Sequence, residues 1–275
     1  MELHPYLREI RGIEGFMDAI RTPEGRKAHH EETDTPMRLE LDKDWKIKEA
    51  HDAMLRHDTR KAEKIARRTL QEKPTDWAAT FFYAGAVMFK EPAEAIPHLE
   101  RARGLTSDEY LKAKTAKILG DAHLISADRE SLGLENKMRC YQRSNNVFKG
   151  VPINRLSIRD GLSMMTNWMA AFYESYLLIV PTPEMIVTMF SRGLIGSETR
   201  DPLMGFSLSV MTSLEMASRA YWFARFGASI ASQLELGEYA QRFKRMEYHL
   251  TPILPVLERL AAEFETRPRE DHSQN

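Results

Sequence analysis

The feature that most constrains this chain is the spacing of its apolar and small side chains. From about Trp45 onward they recur at three- and four-residue intervals, and no stretch alternates with the period of two expected of a half-buried strand. Ile47, Ala50, Met54 and Leu55 form one stripe; Ala62, Ile65, Ala66, Thr69 and Leu70 form the next. The punctuation between stripes has a mechanism. Pro74 ends the first pair, because proline disfavours helix in the residue before it. Asp76 stands where an N-cap belongs, ahead of a helix over Trp77 to Lys90. Pro92 opens Ala93 to Arg103 from a first helical position, and Gly104 closes it. Ser107 is placed to cap a helix through about Ile125, and a further helix runs from about Leu132 to Arg143. The pattern predicts an all-α chain of helical hairpins.

These hairpins repeat. Ala50, Gly85 and Gly120 fall on successive first helices, each 35 residues after the last, and Ala62 and Ala95 sit on the second helices. Trp77, Tyr83-Ala84-Gly85, Ala95-Ile96, Leu99 and Ala102 make one copy, and Leu119-Gly120 opens the next, with a looser second helix around Leu132 to Tyr141. Late in the chain, Phe226-Gly227 precedes Leu236-Gly237-Glu238-Tyr239-Ala240 through Pro252, where alanine and proline are 12 apart as they are at Ala62 and Pro74. On these residues the chain resembles the tetratricopeptide repeat family over 44–145 and more loosely over 215–252; that family repeats a helix pair about every 34 residues. The resemblance implies a right-handed α-hairpin solenoid with a divergent helical C-terminal half. Stacking follows from physics, since one hairpin cannot bury its apolar face alone.

The expected organisation is an N-terminal helix and linker (1–43), the repeats (44–146), a helical C-terminal half with one further hairpin (147–264) and a polar, disordered tail (265–275). Leu7, Ile10, Ile13, Phe16, Met17 and Ile20 predict a helix over 5–20, weakened by Gly12 and Gly15. From Thr22 to Pro36, turn-forming residues flank His29-His30-Glu31-Glu32 and read as a linker. The 150–215 region is helical but fits the repeat badly: a helix from about Gly161 to Val180 stops at Pro181-Thr182-Pro183, Thr182 and Pro183 begin a shorter one, and Asp201-Pro202 begin a long one. The Gly161–Val180 helix is of bilayer length and carries one clear charge, Glu174. Asn167, Ser163, Thr166, Tyr173, Ser175 and Tyr176 make it a core helix rather than a span.

Composition removes several function classes. Lys and Arg number 39 against 40 Asp and Glu, a net charge of −1, without the basic excess expected of a nucleic-acid protein. One cysteine, Cys140, excludes a disulfide framework or a multi-thiolate zinc site, and reads as a buried small hydrophobe. No apolar leader opens the chain. With 43% hydrophobic residues in 275, a sizeable core and a cytoplasmic location are expected. Methionine concentrates late, eight of fifteen between Met164 and Met216, where it fills irregular gaps or forms an adaptable surface. Gly205, Ser209, Ser213 and Ala217, spaced four apart, suit close helix packing, and 161–233 is the stretch expected to carry any homo-oligomer.

No Gly-rich phosphate loop or nucleophile elbow is present, and no cofactor is expected. His51-Asp52 and His57-Asp58 have the residue types of a metal-dependent hydrolase, the least favoured alternative. In tetratricopeptide proteins the first helices line a peptide-binding groove. Taking Gly85 and Gly120 as equivalent, the resemblance implies a binding surface of Phe82, Phe89 and Lys90 (with Ala86) and of Lys114, Lys117 and Asp121 (with Leu124). Such an aromatic and cationic groove suits an acidic peptide with an apolar anchor. The asparagines of the chaperone-tail clamp are missing, since Tyr83 and Ala86 stand near those places. The expected function is a non-catalytic adaptor or chaperone-like scaffold holding a partner polypeptide, or, alternatively, a peptide-sensing regulator acting by sequestration.

Overall fold

Gly12 breaks the N-terminal helix that the apolar spacing predicts. In the computed structural model, which describes residues 3–129, 132–179 and 200–265, Gly12 takes φ +78, and a Cβ there would lie 2.2 Å from the Asn154 side chain. The result is a single turn α1 (Pro5–Arg8) and a second helix α2 (Ile13–Arg21) that buries Ile13, Phe16 and Ile20.

The linker expected over Thr22 to Pro36 is instead helix α3 (Pro23–Lys43). Thr22 Oγ1 accepts from the Gly25 amide at 3.0 Å, and Pro23 occupies the first turn, where its missing N–H costs nothing. Thr33 and Thr35 donate their hydroxyls back to the His29 and Glu31 carbonyls. Pro36 lies inside the helix and removes a backbone hydrogen bond, a penalty of about 3 kcal/mol. Burial of Met37 recovers a comparable amount, about 2–3 kcal/mol. Docking, not propensity, makes this segment helical.

Three aspartates, each 32 residues after the last, set the repeat. Asp44 caps α4 (Trp45–Leu55), Asp76 caps α6 (Trp77–Val87) and Asp108, rather than Ser107, caps α8 (Glu109–Ala127). Each accepts a backbone N–H at 2.7–3.0 Å and contributes about 1 kcal/mol. The second helices are α5 (Thr59–Glu72), which Asp58 caps, α7 (Pro92–Leu105) and α9 (Leu134–Gly150). Helix packs on helix in chain order from α4 to α9, and α4 also reaches α6. Among the described residues there is no strand. The architecture is all-α and repeat-like.

The core of these hairpins runs through α6, ten of whose eleven residues are buried. Trp77 stacks on Phe81 with ring centroids 5.0 Å apart and donates its indole N–H to Thr115 Oγ1 on α8. Ala53, Ala62 and Ala86 let α4, α5 and α6 approach closely. Gly120 on α8 touches the Phe148 ring of α9, and a Cβ there would fall 2.3 Å from it. A one-turn 3-10 helix η1 (Ile153–Arg155) then leads into α10 (Ile158–Ile179), and Trp168 of α10 lies against Phe148. Cys140 is only half-buried, contrary to the expectation of a core residue.

The described chain forms two compact units, Met1–Ala171 and Phe172–Asn275. The first therefore takes in the N-terminal helices together with all three hairpins. In the second, α11 (Arg200–Gln233) packs against both α12 (Gly237–Leu250) and α13 (Leu254–Glu265). Gly227 meets the Phe243 ring there as Gly120 meets Phe148, so Gly227 is the structural counterpart of Gly120. Gly85, by contrast, faces Met54 of the preceding hairpin. Ser213 and Ala217 are buried on α11; the burial of Gly205 and Ser209, and the Thr182-Pro183 helix start, lie outside what is described. No described helix is long and apolar enough to cross a membrane.

Candidate functional site

α3 runs across the first helices of the hairpins. Its middle meets η1 and the start of α8, and its C-terminal end meets α4. Two latches hold it. The buried His29 places Nε2 2.8 Å from the Leu156 carbonyl, which makes Nε2 the protonated nitrogen. Glu32 is hydrogen-bonded to the Tyr110 hydroxyl, and the Arg155 guanidinium donates to the same hydroxyl while lying 4.8 Å from the Tyr110 ring centre. Met37 joins the same buried cluster as Ile47, Phe82 and Leu111, and Leu41 packs against it.

Between α3 and the first helices a cleft of about 580 Å³ remains open. Its lining is mostly α3, with His30, Glu31, Asp34, Met37, Arg38 and Leu41, and is completed by His51 of α4 and Lys114 of α8. The lining mixes the Glu31 and Asp34 carboxylates with the Arg38 and Lys114 cations and the apolar Met37 and Leu41. His51 packs edge-on against Phe82 at 5.7 Å. Lys114 Nζ reaches Asp160 Oδ2 at 3.2 Å and remains about one-third exposed.

One turn along α8 from Lys114 lies a nearly buried ion pair. Lys117 Nζ binds Asp121 Oδ2 at 2.6 Å, both side chains are 8% exposed, and Asn167 of α10 donates to the other Asp121 oxygen at 2.8 Å. Burial raises the Asp121 carboxyl above its ordinary value, against the pull of Lys117 and Asn167. Burial acts on Asp160 in the same sense, but Lys114, Lys117 and the Ser157 hydroxyl outweigh it and hold that carboxyl below its ordinary value.

The structure disperses the six residues expected to form the groove. Lys114 lines the cleft. Phe82 lies buried beneath His51, and Lys117 and Asp121 are spent on each other. Phe89 and Lys90 are exposed in the turn after α6, where their carbonyls accept from Arg129. Two facts account for the dispersal. Equating Gly85 with Gly120 shifts the register by three residues from the one set by the aspartate caps, and the segment expected to be a linker is a helix packed against α4 and α8. His51, Arg38 and Asp34 were not expected in a binding cleft, and no local signal marks them, because α3 alone brings them there.

The metal-hydrolase residues are also dispersed. His51 Nδ1 lies 3.5 Å from Asp52, His57 occupies the left-handed turn after α4 at φ +59, and Asp58 is engaged as the α5 cap. His30 pairs with Asp34 at 3.1 Å, and both line the cleft. Among the described residues no group of three or more His, Cys, Asp or Glu comes together as a metal site. Comparison with family models, curated proteins and solved structures yields no match.

Proposed function

We propose that this chain is a non-catalytic scaffold of the tetratricopeptide type that holds a partner polypeptide in the cleft between α3 and the first helices. The observation that carries this reading is the chemistry of the cleft. Met37 and Leu41 add apolar surface to the lining for an anchor side chain, and Lys114 and Arg38 offer charge to an acidic partner. The volume accommodates a few side chains of a peptide, and charged groups beside apolar ones in the same lining would fix its orientation. Phe89, 65% exposed, and Lys90 provide a second contact at the α6–α7 turn.

The test is affinity capture from the native source by the full chain, run beside Lys114→Gln and Arg38→Gln variants. Both substitutions remove charge from half-exposed or exposed positions and leave the core intact. A partner held by the wild type and released by the variants supports the reading; a partner held equally by all three contradicts it.

A further inference from the structure

We propose that the exposed face of α5 is a second docking surface, and that it takes an extended acidic polypeptide segment with carboxylates at alternate positions. This goes beyond the cleft reading and uses none of its residues. α5 holds Arg60, Lys61, Lys64, Arg67 and Arg68 against Glu63 and Glu72, a local cationic excess in a chain whose net charge is −1. Arg60, Lys64 and Arg68 are all exposed and follow one another at four-residue steps. Such a step advances a helix by about 6 Å and returns to the same side. With Glu63, Arg67 and Gln71 they bound a shallow groove of about 400 Å³, and every one of the six side chains is polar.

The ion pairs leave this row unsatisfied. Lys61 is held by Glu49 at 2.8 Å and Arg67 by Glu63 at 2.7 Å. Arg67 also donates to the Tyr83 hydroxyl, which fixes it at the edge of the groove. Arg68 lies 3.5 Å from Glu72, whose other oxygen is bound by Lys46 at 2.5 Å. Arg60 and Lys64 make no ion pair among the described residues. Alternate side chains of an extended chain stand on one side about 6.8 Å apart, close to the step of the row. The rest of the lining selects among anions. A peptide backbone brings N–H donors for Glu63 and Gln71, whereas a phosphodiester backbone brings acceptors alone and is repelled by Glu63. Docking on an anionic membrane draws on inserted apolar area as well as charge, and this lining offers no apolar side chain.

The test titrates the full chain, at low ionic strength, with a fluorescent peptide in which Glu and Ser alternate over about ten residues. Each exposed charge contact changes affinity by a factor of about two to five. Arg60→Glu/Lys64→Glu/Arg68→Glu is therefore expected to bind at least about tenfold more weakly than wild type, with its helix content unchanged by circular dichroism. Arg60→Gln/Lys64→Gln leaves every ion pair of α5 in place, is expected to lose part of the affinity, and keeps the test valid if the triple variant misfolds. Lys114→Gln/Arg38→Gln is expected to bind this peptide as wild type does. No binding by the wild type, or equal binding by folded α5 variants, overturns the proposal. So does tighter binding of a single-stranded oligonucleotide or of phosphatidylserine vesicles than of the peptide. Loss confined to Lys114→Gln/Arg38→Gln would put the acidic segment in the cleft, upholding the scaffold reading and rejecting the α5 surface.

Discussion

Removing the Asp121 carboxylate is the perturbation whose outcome this structure specifies most sharply. Lys117 and Asp121 are each 8% exposed and 2.6 Å apart, and Asn167 completes the second carboxylate oxygen. Asp121→Ala therefore removes the carboxylate that faces a buried ammonium and a half-buried amide, and breaking such a pair from one side costs about 3–5 kcal/mol. The Asp160 carboxylate also acts on Lys117 and softens the loss, which favours about 3 kcal/mol, the lower end of that range. For a unit of this size, about 3 kcal/mol corresponds to a fall in Tm of roughly 6–12 °C. Replacing both partners by apolar residues of similar length, Lys117→Met with Asp121→Leu, removes the two desolvation costs together and is expected to restore most of the stability. Urea unfolding followed by far-UV circular dichroism measures all three variants. An Asp121→Ala chain within 1 kcal/mol of wild type, or a double variant no better than the single one, would refute the reasoning. The same geometry predicts that Lys117→Glu sets two carboxylates against each other in the core and unfolds the unit, so binding experiments belong at Lys114.

The Gly120 contact gives a second test. Gly120→Ala forces a Cβ into the buried Phe148 ring, an overpacking cost of about 1–3 kcal/mol set against about 1 kcal/mol of gained helix propensity. Gly104→Ala on α7 meets open space and is expected to be neutral or to stabilise by up to about 1 kcal/mol; thermal unfolding ranks the two. Asp76→Ala removes the cap of the central first helix and is expected to cost about 1 kcal/mol in chemical unfolding. His123 supplies a pH dependence. Burial, reinforced by Arg143, lowers its pKa from 6.5 to about 4, and its Nδ1 is enclosed without a hydrogen-bond partner. The unfolded chain takes up this proton before the folded one does, so stability is complete above about pH 6.5 and falls as pH drops toward 4, by about 2–3 kcal/mol. His123→Phe should flatten that part of the stability–pH curve, and an unchanged slope would contradict the assignment.

How much of this was legible in the sequence depends on what holds each element. The hairpins were readable because their signals are local: Asp76 caps α6, Pro92 opens α7, and the alanines on α4 and α5 mark faces that pack. The α3 helix was not readable, since Pro36 and Thr33-Asp34-Thr35 argue locally for a turn and only docking through Met37, His29 and Glu32 decides otherwise. The register of the face was lost by following small residues 35 apart, when Asp44, Asp76 and Asp108, 32 apart, mark where the first helices begin. The burial of Lys117 had one local sign, Asp121 a turn later on the same helix. Its other determinant, Asn167, comes from 46 residues beyond Asp121, and no spacing rule connects them.

The central claim is that the partner occupies the first-helix face, and hydrogen exchange of the captured complex against the free chain tests it most directly. The account predicts that amide protection changes on α3, on α4 around His51 and on α8 around Lys114. Protection confined to residues 172–265, with α3, α4 and α8 exchanging as in the free chain, would contradict it.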